Sequence, residues 1–248
     1  MAFDNERKIH LSTAQAEAAG IDMGLRAYML RVYNFMTGAL ALTGLVAYFS
    51  ANTPAVLDLL YTVSPEGTVS ATPLAWIAML SPLAFVLVLS FGINRLSASA
   101  AQTIFWVFAG VMGLSLTHIF LVYTGVSITR VFFITSAAFA GLSFYGYTTK
   151  KDLTGFGSFM IMGLWGLVIA GLVNIFLQSS TLNFVTSALG VLIFAGLTAY
   201  DTQKIKNMYY EADSSEMVAK KAIMGALSLY LDFINLFLHL LRFMGERR

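Results

Sequence analysis

Cysteine is absent from all 248 residues, which excludes disulfides, thiolate nucleophiles and Cys-ligated metals. Charge is scarce too. Asp, Glu, Lys and Arg make up 11% of the chain, against about 25% in a typical soluble domain. Their near balance leaves a net charge of +2, too small to imply a nucleic-acid surface. No apolar run followed by a small-residue cleavage site precedes residue 26, so no secretory signal is expected.

What is present is apolar: 58% of residues are hydrophobic and the mean hydropathy is +0.74. A helix needs about 20 apolar residues to cross the hydrocarbon core, and seven segments qualify: 28–50, 74–94, 101–123, 130–148, 156–177, 184–203 and 222–243. The expected fold is an all-α membrane protein of seven transmembrane helices, residues 26–248, with the lipid bilayer as its surroundings. Residues 1–25 read as a polar, partly disordered cytoplasmic tail. Asn52-Thr53-Pro54 and Ser64-Pro65-Glu66-Gly67 punctuate the first loop, and Lys150-Lys151-Asp152 marks a tight one.

With the N-terminus inside, eleven Lys and Arg fall inside and four outside, namely Arg130, Arg242, Arg247 and Arg248. The positive-inside rule therefore favours a cytoplasmic N-terminus. Seven full spans put the C-terminal arginines outside, against that rule, and a re-entrant last segment is the alternative.

Of thirteen acidic residues, only Asp201 and Asp232 fall inside apolar spans. An intramembrane Asp costs on the order of 3 kcal/mol on insertion scales, so such residues face the bundle interior and mark function. Helices six and seven are joined by a hairpin over residues 204–221, where Asp213-Ser214-Ser215-Glu216 has capping-box spacing. Placing each Asp some 10–15 residues from that turn gives both about the same depth. Lys221, Gly225, Ser228, Asp232, Asn235, His239 and Arg242 follow steps of four and three, one polar stripe that must face protein or water. The last helix is therefore expected to be central.

Asp201 also has a bland explanation, an ion pair with Lys204 at i+3. His118 reads as a packed, hydrogen-bonded residue, Asn174 as interhelical glue, and the pairs Gly110/Gly113 and Gly163/Gly166 as close helix contacts. Arg95 reads equally as a topology anchor or as a counter-ion for the aspartates.

Gly196-Leu-Thr-Ala-Tyr-Asp-Thr-Gln203, Ser228-Leu-Tyr-Leu-Asp-Phe-Ile-Asn-Leu-Phe237 and Phe144-Tyr-Gly-Tyr-Thr-Thr-Lys-Lys-Asp-Leu153 resemble the signatures of the Bax inhibitor-1 (transmembrane Bax inhibitor motif) family, the last its bacterial branch. The resemblance runs from about residue 31 to residue 248. It implies a last helix wrapped by the first six, a bacterial inner-membrane location, and a pH-sensitive calcium leak sensed by an aspartate pair matching Asp201 and Asp232. It also implies an arginine latch on helix two, for which Arg95 is the candidate. Links of relatives to a membrane-bound AAA protease and to stress protection make an interaction protein the alternative function.

Two carboxylates in contact at low dielectric cannot both ionise easily and so share a proton. Losing it creates either a repulsion between helices or an oxygen site for a divalent cation. Calcium prefers 6–8 oxygens. Asp201 and Asp232, supported by Ser228, Asn235, His239 and water, suit weak transit rather than storage. No cofactor is expected. An intramembrane aspartyl protease also pairs Tyr-Asp with a second Asp. Here, however, Asp232 follows Leu229-Tyr230-Leu231 rather than Gly-x-Gly, and a Pro-Ala-Leu element is missing, so no enzyme is expected.

Overall fold

A computed structural model describes residues 2–63 and 69–248 of the chain, with side chains over 23–62 and from 70 onward. The Ser64-Pro65-Glu66-Gly67 turn lies outside the described residues. The elements are α1 (Ala2–Ala51), α2 (Pro54–Leu60), β1 (Tyr61–Val63), β2 (Val69–Ala71), α3 (Pro73–Gly92), α4 (Ala98–Ser115), α5 (Thr117–Val122), α6 (Gly125–Thr148), α7 (Thr154–Leu177), α8 (Ser180–Asn207) and α9 (Ser215–Met244). Among the described residues, seven helical stretches are long and apolar enough to cross a membrane: α1 from Met23, α3, α4 with α5, α6, α7, α8 and α9. The backbone before Met23 is helical and continuous with the first span.

Local chemistry starts these helices. Thr72, Ser97, Thr124, Ser179 and Ser214 each accept a hydrogen bond from the amide three residues on, satisfying a donor that the helix itself leaves orphaned. The cap of α9 is therefore Ser214 and not Asp213, whose carboxylate instead pairs with the Lys221 ammonium. The third span breaks at Leu116, and His118 Nδ1 lies 2.9 Å from the Ser115 carbonyl across that break. Asn174 is not interhelical glue: its Oδ1 accepts from Ser179 N at 2.9 Å. It thereby closes the turn after α7, where Gln178 takes a left-handed φ of 49°. That conformation ends a helix as a C-terminal cap.

The first loop carries structure that the sequence pattern did not reveal, α2 followed by an antiparallel hairpin pairing Tyr61 with Ala71 and Val63 with Val69.

Helix α9 is the centre of the bundle. Of its apolar window 61% is buried, against 11% for α7. It packs against α8, α1, α6 and α4, whereas α3 packs mainly on α4 and α7 mainly on α8. The wrapping is thus carried by four helices, with two standing outside. Lipid tails are as apolar as the helices, so the bundle is held by close packing and interhelical hydrogen bonds rather than by burial from water. Glycines mark the closest approaches. A Cβ on Gly146 would run into the Ala199 carbonyl, one on Gly157 into the Tyr200 ring, and one on Gly113 would sit 2.7 Å from the Thr43 carbonyl. Gly163 meets Ile193, but Gly110 and Gly166 face open space, so only half of each expected pair is a contact.

The last segment crosses fully. After α9, Glu246 O accepts from Thr124 N at 3.1 Å, Arg248 N donates to Val122 O at 3.0 Å, and Arg130 lies 3.3 Å from the Glu246 carboxylate. The C-terminus is tied to the loop before α6, at the opposite end from the α8–α9 turn. This removes the re-entrant alternative.

Candidate functional site

Asp201 and Asp232 come together. Their carboxyls interact across the α8–α9 interface. Asp232 is buried, at 5% exposure, and Asp201 is half-buried. The Oδ2 of Asp232 is enclosed and receives no bond from an amide, hydroxyl or ammonium among the described residues. Two carboxyls brought together out of water cannot both ionise easily.

Equal depth is not what brings them into contact. Asp201 lies about 1.7 turns before Asn207, whereas Asp232 lies about 4.7 turns after Ser215, at 3.6 residues per turn. Close approaches set the register of the two antiparallel helices: His239 against Gly190 and Ile205 against Gly225. In this register Asp232 sits about one turn further from the hairpin than Asp201. A helical Cβ tilts toward its own N-terminus, so in antiparallel neighbours the two side chains lean toward one another and close that gap.

The cation nearest in effect is Lys204, whose charge acts on both carboxyls. It makes no ion pair with Asp201 among the described residues, where the ion pairs are Arg130–Glu246, Lys220–Glu216 and Lys221–Asp213. Its ammonium lies 5.9 Å from the centre of the Tyr200 ring instead. Arg95 is exposed in the turn after α3. Arg95 makes no ion pair with either carboxyl among the described residues.

The remaining stripe residues do not converge on the carboxyls. Asn235 Nδ2 donates to Leu231 O on its own helix at 2.8 Å. No hydrogen bond joins Ser228 to the pair among the described residues. His239 stacks on Phe194 with ring centres 5.6 Å apart, and its Nδ1 is enclosed without a partner. Asn235, His239 and Arg242 line a separate cavity of about 500 Å³ between α7, α8 and α9. Among the described residues no group of three or more His, Cys, Asp or Glu converges as a metal site. The pair thus offers two carboxyls and no further acidic or imidazole ligand.

Sequence reasoning missed a hydroxyl chain beside the pair. Tyr33 Oη lies 2.6 Å from Ser143 Oγ, Ser143 Oγ lies 2.9 Å from Thr202 Oγ1, and Thr202 donates to Thr198 O at 2.8 Å. It ties α1, α6 and α8 at the residue following Asp201. Ser and Thr are common in membrane helices, so only the burial of Ser143 and Thr202 distinguishes them. A second tie, Tyr230 Oη to Thr43 Oγ1 at 2.7 Å with Thr43 donating to Ala109 O, fixes α9 against α1 and α4.

The hairpin end is closed by polar side chains that cap carbonyls. Gln203 holds the α6–α7 turn through Leu153 N and Lys151 O, both at 2.8 Å. Lys206 donates to Tyr147 O at 2.8 Å, and Lys221 to Met208 O at 2.9 Å.

Fold and site define a seven-helix integral membrane protein built around a central last helix with an intramembrane carboxyl pair. Residues 25–248 match the family described as "Inhibitor of apoptosis-promoting Bax1". The chain belongs to this Bax inhibitor-1 family. It is 48% identical over 236 residues to a Rickettsia prowazekii protein, covering 95% of this chain and 96% of that one. It is 47% identical over 229 residues to the Escherichia coli protein named "Inner membrane protein YbhL", covering 91% and 94%. Identity to a Streptococcus pyogenes membrane protein is 34% over 230 residues, covering 91% and 95%.

Proposed function

We infer that the protein is a pH-sensitive cation leak of the bacterial inner membrane, with calcium as the ion carried and Asp201 and Asp232 as its proton sensor. One observation carries this: Asp201 and Asp232, the acidic residues of the apolar spans, meet across the interface of the central helix and α8. Sharing a proton, they hold α8 against α9. Without it, two like charges in contact repel at low dielectric, and the same oxygens become ligands for a passing divalent cation. Two carboxyls fall short of the 6–8 oxygens that calcium favours, so water completes the shell and binding is weak, as transit requires. The excess of Lys and Arg on one side supports a cytoplasmic N-terminus, and the name of the Escherichia coli relative supports the inner membrane.

The test is calcium flux through purified protein in liposomes over a pH series. Flux that changes with pH supports the leak. Folded protein that passes no calcium at any pH overturns it and leaves the interaction-protein function.

A further inference from the structure

A large cavity lies apart from the carboxyl pair, and neither Asp201 nor Asp232 lines it. About 1160 Å³ lies between α1 and α6, at or above the upper end of small-molecule sites, about 300–1,000 Å³. The two helices meet through the Tyr33–Ser143 hydrogen bond but share little other contact, because both pack on α9 and Phe233 stands between them. Its ring lies 5.6 Å from that of Phe132 and 5.5 Å from that of Phe139. The facing residues Thr37, Ala41, Ser136 and Ala140 are small, so the gap stays open. Its rim is made of large apolar side chains exposed on the bundle's outer face, Leu30, Leu45 and Phe144, and it therefore opens sideways into the hydrocarbon.

A cleft of this kind cannot stay empty in a bilayer, since unfilled walls lose their dispersion contacts. From Arg26 to Leu45 it follows α1 for about 28 Å, longer than the roughly 15 Å that one leaflet contributes to the core. Arg26 stands at its mouth on the Lys-rich side, exposed and without an ion pair among the described residues. An apolar trough ending at an exposed guanidinium matches an acyl chain ending at a phosphate. We propose that the α1–α6 groove is a binding site for one membrane phospholipid, its acyl chain against Phe233 and its phosphate on Arg26.

The site is tested by native mass spectrometry of the full chain extracted from bacterial membranes in mild detergent. The wild type should retain a phospholipid after washing. Ala140→Trp, which fills the groove, should abolish retention. Arg26→Gln should weaken it about tenfold, the effect of losing one charge-assisted hydrogen bond. Arg26→Gln leaves the packed interior untouched, so it remains informative if the tryptophan variant unfolds. Absence of lipid from the wild type overturns the proposal, as does unchanged retention in folded Arg26→Gln and Ala140→Trp protein. So does oxidative cross-linking of two Thr37→Cys copies with lipid lost, which would make the groove an interface between copies.

Discussion

Gly146 of α6 lies against the backbone carbonyl of Ala199 in α8, two residues before Asp201. Alanine would improve the helix propensity by about 1 kcal/mol, but its methyl group meets backbone that cannot rotate away, and such overpacking costs about 1–3 kcal/mol. Gly146→Ala should therefore lower thermal stability in detergent. Gly166→Ala, where the space is open, should leave stability unchanged or raise it. Equal effects of the two substitutions would refute the close crossing of α6 and α8.

If Asp201 and Asp232 share a proton, either Asp→Asn change should remove most of the pH dependence of calcium flux, because Asn can bond but cannot titrate. The double variant should resemble the singles rather than add to them, since each destroys one coupled unit. Asp232→Leu should be less stable than Asp232→Asn by about 1–3 kcal/mol, the cost of an unsatisfied buried partner. An Asp201→Asn protein with a full pH response would contradict the pairing.

Ser143 stands between two hydroxyls, whereas Tyr33 ends the chain. Tyr33→Phe should cost about 0.5–1.5 kcal/mol, one hydrogen bond. Ser143→Ala should cost more, because it leaves the Tyr33 hydroxyl without its partner. Unfolding midpoints of the two variants in the same detergent decide the order.

Because the chain lacks cysteine, single-cysteine labelling reads topology cleanly. An impermeant reagent should label Asp58→Cys and Arg248→Cys from the same side, and Lys151→Cys from the other. Labelling of positions 151 and 248 from one side would break the seven-span arrangement.

Asp152 accepts from both the amide and the hydroxyl of Thr154, at 2.9 and 2.6 Å, and these bonds hold its carboxyl below the usual carboxylate range. A lowered folded-state value means that the contribution is complete above the unfolded-state value and is lost as pH falls through the folded one. Protection of the amides at the start of α7, measured against their intrinsic exchange rates at each pH, should fall in acid in the wild type. Asp152→Ala, which cannot accept either bond, should show low protection at every pH.

The seven spans were legible because a membrane helix is a local property, a run of apolar residues of sufficient length. The central place of α9 was legible for a similar reason: its polar stripe at steps of three and four can be tolerated only inside a bundle. The two intramembrane aspartates stood out through their cost. Lateral order was another matter. That α3 and α7 lie outside, that Arg95 ends exposed after α3, and that α1 and α6 leave a groove all depend on contacts such as Tyr33 to Ser143 and Thr43 to Tyr230, between residues more than 60 positions apart. Hydropathy carries no record of such partners. Even the meeting of Asp201 and Asp232, expected from equal depth, came from a one-turn offset closed by the tilt of two Cβ atoms. Sequence alone determined which residues enter the membrane and which of them are too costly to face lipid. The tertiary structure decided which helices touch, because interhelical register is set by glycine contacts and side-chain hydrogen bonds that exist only once the bundle has closed.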